Sequence, residues 1–359
     1  MIPAWLLFAM SVHLGPMGPD APAREPQMAV NGSAANGSLV ALAFGAGHAI
    51  YFSLSRDGGS TFPPPTRVAE AGIVPLTRHR GPRIAFAGNA IVITAVVGNK
   101  TGEGAHAHGL PSDGDLLAWR SEDGGKTWSK GRAINDVPAS ATEGLHALAS
   151  DGKGLLFAAW LDKRGARGTK LYSARSADGG VTWSKNAAVY LSPDGSICEC
   201  CHPSLAIGPA GELLVMWRNA LGGSRDMYLA TSRDGVTFSP PQKLGEGTWK
   251  LNACPMDGGG LAVSSSKVLT AWRRDTGIFL DQPGQPEKQV GAGKDIALAL
   301  SGARTYLAWV DGARVEVWID GKLEQLAANG AFPSLTALPG GGALAAWEED
   351  GAVQVRRLP

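Results

Sequence analysis

The sequence has almost no excess of charge of either sign. Its 359 residues include 33 Lys and Arg against 32 Asp and Glu, a formal net charge of +1. Such a chain has no overall field that would attract nucleic acid or an anionic membrane surface. Long hydrophobic runs are also missing, because the apolar stretch at residues 2–12 is too short to cross a bilayer. We therefore expect neither a nucleic-acid partner nor a membrane span.

That apolar stretch is followed by small residues and prolines, a pattern typical of a secretory signal. We expect residues 1–23 to be a signal peptide with cleavage near Ala21 to Ala23, and the protein to be periplasmic or secreted. The alternative is a disordered leader, since the only positive charge before the apolar stretch is the amino terminus.

Glycine is abundant, with 49 residues, and there are 11 tryptophans. Both features favour a turn-rich all-β protein. One turn pattern occurs four times, as Ser-x-Asp-Gly-(Gly)-x-Thr-aromatic. Its copies are SRDGGSTF (55–62), SEDGGKTW (121–128), SADGGVTW (176–183) and SRDGVTFS (232–239). Each Asp can accept backbone N–H groups within its turn, and each Gly can adopt a positive φ.

A second repeat lies between these turns, as short apolar runs that end in tryptophan. Its members are Trp160, Trp217, Trp272, Trp309 and Trp347. Together the two patterns define four-stranded units that begin near residues 26, 82, 142, 200, 256, 294 and 331, the last without room for a fourth strand. Repeated four-stranded units predict a β-propeller. We expect one all-β propeller domain over residues 24–359 with seven units, or six blades if the end segments combine.

The repeated turns resemble the Asp boxes of the sialidase superfamily, whose members are also called BNR-repeat proteins. The CECCHP and NACPMDGG segments look like those of bacterial sialidase-like proteins. The resemblance implies a propeller fold. Sialidases hold the substrate carboxylate with three arginines, and they use a Tyr activated by Glu together with an Asp acid/base. Asp boxes are structural, however, so they indicate fold more than activity.

The strand order of a propeller sorts the loops into two faces. Loops from the outer strand D to the next inner strand A share one face with the B-to-C loops, and the Asp boxes lie on the other. The first face should carry most of the histidines and all of the cysteines, as expected of a binding site. The predicted ligand-binding residues there are Arg83, Arg218, Arg225, Asp226, Trp249, Asp257 and Arg273. The alternative for each arginine is structural pairing with a nearby aspartate.

Catalysis has weaker support in the sequence. Asp113 is a candidate acid and Glu143 a candidate base, but none of the five tyrosines is placed like a nucleophile. We therefore expect a monomeric protein that binds an anionic, carboxylate-bearing glycan on this face. An exo-sialidase-type glycoside hydrolase is the alternative.

Three of the four cysteines, Cys198, Cys200 and Cys201, are followed directly by His202. Cys254 lies one unit later in the equivalent loop, so all four sulfurs can meet. In an oxidising compartment we expect a disulfide from Cys254 to one of the other three, and no required cofactor. The alternative is a Cu or Zn site formed by the four cysteines and His202, since thiolate and imidazole suit both metals. A weaker metal candidate is the pair His106 and His108.

Overall fold

The computed structural model describes residues 11–18, 21–32, 38–103, 109–165, 167–265 and 267–359. These residues form seven antiparallel sheets of four strands each. The innermost strands contact one another in a closed ring. The predicted propeller is confirmed with seven blades, and the six-bladed alternative is wrong. None of the helices in this part of the chain is long and apolar enough to cross a membrane.

The strands follow the order of the chain within each blade, from inner to outer. Blade 1 contains β2 (Arg24–Asn31), β3 (Leu39–Ala46), β4 (Ala49–Ser55) and β5 (Thr66–Glu70), and blade 2 contains β6 (Arg83–Ala87), β7 (Ala90–Val97), β8 (Asp115–Ser121) and β9 (Arg132–Ala133). Blade 3 contains β10 (His146–Ser150), β11 (Leu156–Asp162), β12 (Lys170–Ser176) and β13 (Ala187–Tyr190), and blade 4 contains β14 (Ser204–Ile207), β15 (Leu213–Arg218), β16 (Met227–Ser232) and β17 (Gln242–Lys243). Blade 5 contains β18 (Gly260–Val263), β19 (Val268–Arg274), β20 (Gly277–Asp281) and β21 (Lys288–Ala292), and blade 6 contains β22 (Lys294–Ser301), β23 (Arg304–Asp311), β24 (Arg314–Ile319) and β25 (Lys322–Ala327). A 3₁₀ turn at Leu221–Gly223 lies within blade 4.

Blade 7 joins the two ends of the chain. Its three inner strands are β26 (Ala331–Ala337), β27 (Ala343–Glu349) and β28 (Ala352–Leu358), and its outer strand is β1 (Val12–Leu14). Val12 pairs with Val355 and Leu14 with Val353. The N-terminal segment thus supplies the strand that the seventh sequence unit lacks. Cleavage near Ala21 to Ala23 would remove β1 and leave this blade with three strands.

The core consists of layers between adjacent blades. The second strand of each blade is covered on both faces, which explains why these strands are continuously apolar. Trp160, Trp217 and Trp347 end such strands and are almost fully buried. A carboxylate two residues further on accepts the indole N–H in two of them, Asp162 from Trp160 at 2.8 Å and Glu349 from Trp347 at 3.1 Å.

The four Asp boxes lie in the turns from strand C to strand D. In the third box, Asp178 accepts hydrogen bonds from the Ser176 hydroxyl at 2.8 Å and from the Thr182 backbone N–H at 2.9 Å. Slight burial raises the pKa of Asp178, but hydrogen bonds from Thr182 and Ser176 outweigh burial and lower the pKa to about 2. The cysteine-bearing loops run from strand D to strand A, at the opposite ends of the strands. The predicted separation of the two faces is therefore confirmed by the topology.

Candidate functional site

Three inner strands begin with a β-bulge on the face opposite the Asp boxes. The register shifts between Arg24 and Gln27, between Lys294 and Ala297, and between Ala331 and Ser334. Within these bulges, Glu25, Asp295 and Phe332 adopt left-handed φ angles of 54°, 58° and 47°. A bulge redirects a side chain, and left-handed backbone costs about 1–3 kcal/mol for a non-glycine residue. Such strain, repeated around one channel, is typical of a functional site.

Two of these residues, Glu25 and Asp295, belong to a hydrogen-bonded chain that we call the channel network: Glu348, Glu25, His79, Asp295 and Asp257. The Glu25 N–H donates to Glu348 Oε1 at 2.7 Å, and the His79 N–H donates to Glu25 Oε1 at 2.9 Å. His79 Nε2 lies 2.9 Å from Asp295 Oδ1. The Asp295 N–H donates to Asp257 Oδ2 at 3.1 Å, and Asp257 Oδ1 is buried without a partner. All five side chains are buried, although they come from separate loops and strands around the ring.

The surroundings in the channel network raise the pKa of some of its carboxyl groups and lower that of another. Burial and the neighbouring Glu348 carboxylate raise the pKa of Glu25 to about 8. Burial raises the pKa of Asp257 as well. Burial also opposes charge on His79 and Asp295, but their mutual hydrogen bond and attraction outweigh it, so the pKa of His79 is raised and that of Asp295 is lowered. At neutral pH the network therefore contains a neutral Glu25 and an ionised Asp295, which is hydrogen-bonded to His79.

A cavity of about 380 Å³ occupies the channel and is lined by the inner strands of all seven blades together with His79 and His202. The two imidazole rings lie 4.3 Å apart between centroids. Burial, with the charges of His79 and Arg83, holds the pKa of His202 well below its usual value, so His202 is neutral. His202 Nδ1 accepts the Gly258 N–H at 3.3 Å. His202 therefore belongs to the channel, and it does not share a candidate metal cluster with the neighbouring cysteines.

The Trp249–Asp257 segment, which enters blade 5, is bordered by three arginines. Arg273 lies 5.4 Å from the Trp249 ring centre, Arg225 donates to the Ala253 carbonyl at 3.4 Å, and an Arg78 nitrogen is 2.7 Å from the Met256 sulfur. Arg78 is exposed, and Arg225 and Arg273 are half-buried. Within the described part of the chain, none of the three forms an ion pair. We call Arg78, Arg225 and Arg273 the arginine rim.

The other two predicted arginines have structural roles instead. Arg218 is buried, and its guanidinium donates to four backbone carbonyls, including those of Asp257 and Arg273 at 2.9 Å. Arg83 donates to the His79 carbonyl at 2.6 Å and to the Pro82 carbonyl at 3.1 Å. Both guanidinium groups fix the loops that carry the site, and Arg83 also lines the channel cavity. Ligand contact by either arginine stays a prediction.

The predicted acid and base lie outside the channel network. Asp113 is half-buried and accepts the backbone N–H groups of Asn99 at 2.8 Å and Lys100 at 2.9 Å, as in a loop turn. Glu143 pairs with Lys163 at 2.5 Å. Asp226 accepts the Trp249 N–H at 2.8 Å and so supports the segment beside the arginine rim. His106 and His108 lie outside the described residues.

The tyrosines all serve packing. Tyr306 is fully buried, Tyr51 stacks on Phe44, Tyr172 lies under Arg164, and Tyr190 and Tyr228 flank Trp217. Since these five are all the tyrosines in the sequence, no tyrosine is placed as a nucleophile in the channel network.

The cysteines are thiols in this structure. Cys198, Cys200 and Cys201 are buried, with 3.7 Å between the sulfurs of Cys198 and Cys200, and Cys254 is exposed. The predicted bridge to Cys254 is not formed here, and its formation in an oxidised protein stays a prediction.

Sequence reasoning placed Asp257 at this site but missed Glu25, Asp295 and Glu348. One signal was available: Arg24-Glu25 and Lys294-Asp295 occupy the same position at the start of an inner strand. A basic–acidic pair at equivalent positions of two units marks the acidic side chains that the bulges redirect.

Comparison with known proteins agrees with the propeller fold. The sequence profile of the BNR repeat-like domain matches residues 91–271, half of the chain. Similar solved structures include an α-L-arabinanase of Penicillium chrysogenum complexed with arabinobiose (14% identity, 97% of each chain covered, TM-score 0.54) and an intramolecular trans-sialidase of Ruminococcus gnavus (12%, 94% of each, 0.52). A third is a GH93 α-L-arabinofuranosidase of Fusarium graminearum (13%, 97% of each, 0.53). At these identities the likeness shows the fold alone. No curated protein sequence matches the chain.

Proposed function

The chain belongs to the family of BNR repeat-like domains, and we propose that it binds an anionic, carboxylate-bearing glycan on the face that carries the arginine rim. The sialidase-like propeller supports a glycan-binding or glycoside hydrolase-type function. The negative charge of the glycan is the more specific part of this proposal. We also propose that the protein is exported by means of the N-terminal signal pattern and binds the glycan outside the cytoplasm.

One observation carries the proposal: three guanidinium groups from different blades border one segment, and none of them forms an ion pair with a carboxylate among the described residues. Guanidinium matches carboxylate in a planar, two-bonded geometry, and charge-assisted bonds are about twice as strong as neutral ones. Arg225 and Arg273 are held by their contacts with the Trp249–Asp257 segment. Such preorganisation reduces the entropy lost on binding.

The buried carboxylates beneath the rim do not oppose an anion. Glu25 is neutral at pH 7 because burial raises its pKa to about 8. Asp295 Oδ1 lies 2.9 Å from His79 Nε2, and the two form an ion pair when the imidazole is protonated. The exposed groups that an approaching ligand meets first include Arg78, Lys250 and Lys294. The face is therefore cationic outside, and the neutral Glu25 adds no negative charge within, which favours capture of a negatively charged sugar.

Support for a carbohydrate comes from the similar propellers, since the arabinanase and the arabinofuranosidase are described in complex with arabinobiose. We infer that the same architecture is used for a sugar here.

Calorimetric titration of 3′-sialyllactose, of a galacturonate oligosaccharide and of neutral lactose tests the proposal. We expect an acidic saccharide to bind and lactose not to. Arg273→Ala should weaken binding by about 10- to 100-fold, the usual effect of losing a hydrogen bond to a charged group. The matched control is Arg67→Ala, an exposed arginine on outer strand β5 that pairs with Glu70. Binding of lactose as strong as that of the acids, or equal losses in both variants, would show that the arginine rim is not the ligand site.

A second candidate function, glycoside hydrolysis, is favoured by the channel network. Glycosidases need one protonated and one ionised carboxyl group, and Glu25 and Asp295 have their pKa values moved in opposite directions by their surroundings. Such a hydrolase would use two carboxyl groups and no tyrosine nucleophile. Turnover of an aryl α-L-arabinofuranoside by the wild-type protein, abolished in Glu25→Gln, would support this function.

A further inference from the structure

The buried cysteines form a compact group of sulfurs that the glycan proposal does not use. The ligand atoms of Cys198, Cys200 and Cys201 all lie within 4.8 Å of one another. Their side chains are 3%, 7% and 1% exposed, and Met256 packs against them. We propose that these three cysteines form a thiolate site for one soft d¹⁰ cation, Cu(I) or Zn(II), with Cys254 as an additional ligand that Zn(II) recruits.

The sulfur spacing fits one ion at the centre of the group. Zinc–thiolate bonds are about 2.3 Å long, and tetrahedral geometry then separates two sulfurs by about 3.8 Å. The sulfurs of Cys198 and Cys200 are 3.7 Å apart, whereas a disulfide bond needs about 2.05 Å. The observed arrangement is therefore close to that of a metal-bound cluster.

The charges around the group also suit bound thiolates. Three buried thiolates without a cation would repel one another strongly, and a bound metal removes this cost by deprotonating its ligands. Two largely buried guanidiniums are near enough to interact electrostatically with the group: Arg218 with Cys198 and Cys201, and Arg80 with Cys200. They would balance the negative charge that remains on a metal–trithiolate complex.

The donor set selects the class of metal. Thiolate and thioether ligands favour Cu(I) and Zn(II) over hard cations. Three buried sulfurs suit Cu(I), which accepts low coordination numbers, but Zn(II) requires a fourth ligand in a structural site. His202 does not belong to the sulfur group, because its ring packs against His79 in the channel and its Nδ1 accepts the Gly258 N–H. Cys254 is available, since its thiol is exposed and interacts with that of Cys200.

The test uses full-length protein, stripped of metal and kept reduced under argon. Cu(I) is titrated against a chromophoric Cu(I) chelator, and Zn(II) against a zinc indicator. We expect one equivalent of either ion, with at least about a 100-fold loss of affinity for both in Cys201→Ser. Cys254→Ser is the matched control, and it should weaken Zn(II) binding about 10-fold or more while Cu(I) binding stays unchanged.

A second readout needs no variant. Mass-mapped alkylation of the wild-type protein should show Cys198, Cys200 and Cys201 protected by one equivalent of Cu(I), while Cys254 reacts. Failure to bind either ion stoichiometrically, or equal alkylation of these cysteines with and without metal, would overturn the proposal. A disulfide between Cys254 and one of the three cysteines that the reductant does not cleave would also overturn it, because that bond uses one of the three sulfurs. Glycan titration of the same metal-free protein is independent of this outcome.

Discussion

The buried Glu25 makes the stability of the protein depend on pH in a direction that can be calculated. Its pKa is about 8 in the folded protein against an ordinary value of 4.5. The folded state therefore retains a proton that the unfolded state loses between these two values. Stability from this group is complete below pH 4.5 and is lost as pH rises through 8. At about 1.4 kcal/mol per pH unit, the whole difference is about 5 kcal/mol, of which about 3–4 kcal/mol is lost between pH 5 and pH 8.

Glu25→Gln isolates this contribution. The amide oxygen of glutamine can still accept the His79 N–H that Glu25 Oε1 accepts at 2.9 Å, and glutamine does not titrate. We expect the variant to gain stability relative to wild type as pH rises from 5 to 8, by about 3–4 kcal/mol. His146 and His202, whose pKa values are lowered mainly by burial, produce the opposite trend below about pH 6.5. They are present in both proteins, so the difference between the two curves reports Glu25.

Urea unfolding of both proteins at half-unit pH steps provides the measurement. Glu70→Gln, an exposed glutamate on outer strand β5, is the control and should follow the wild-type curve. A constant difference between wild type and Glu25→Gln from pH 5 to 8 would show that Glu25 is ionised at neutral pH. The assignment of a neutral Glu25 to the interior beneath the arginine rim would then be wrong.

Three further predictions concern the Asp boxes, turnover and the N-terminus. Asp178→Ala removes the acceptor of bonds from Ser176 and Thr182 and should lower the free energy of unfolding by about 1–2 kcal/mol in urea. Glycan affinity should not change, and a matching loss of affinity would contradict the separation of the two faces. A fluorogenic sialoside should show little or no turnover, because every tyrosine packs elsewhere, and robust hydrolysis abolished by Arg273→Ala would refute this. Intact-mass analysis of exported protein should place the new N-terminus near Ala21 to Ala23, whereas a product that retains β1 would show that this signal is not cleaved.

The fold could be predicted because its determinants are local and repeated. Each of the four Asp boxes encodes its turn within eight residues, and the second strands of blades 3 to 7 contain a tryptophan near their end, so the two patterns together predict seven units. Because successive strands are antiparallel, the sequence order also predicted that Asp178 and Cys201 lie on opposite faces of the propeller. The outer strand of blade 7 was not predictable in this way, because Val12–Leu14 pairs with a strand more than 300 residues later in the chain, and three residues carry no repeat signature.

The candidate site was only partly predictable because its chemistry depends on tertiary contacts. Sequence position made Arg218 and Arg273 equal candidates. Only the fold shows that Arg218 donates to four backbone carbonyls and that Arg273 forms no ion pair among the described residues. Glu25 and Asp295 were missed because their bulges use left-handed backbone at acidic residues, and no glycine marks those positions. Asp257 was found because it follows a cysteine and lies in a loop already assigned to the ligand face.

A crystal structure of the protein soaked with an acidic saccharide would test the central claim most directly. The account predicts that the ligand carboxylate lies within hydrogen-bonding distance of at least two guanidiniums of the arginine rim, with the sugar over the Trp249–Asp257 segment. A saccharide bound instead at the Asp-box face, or bound with its carboxylate in solvent away from Arg78, Arg225 and Arg273, would contradict it.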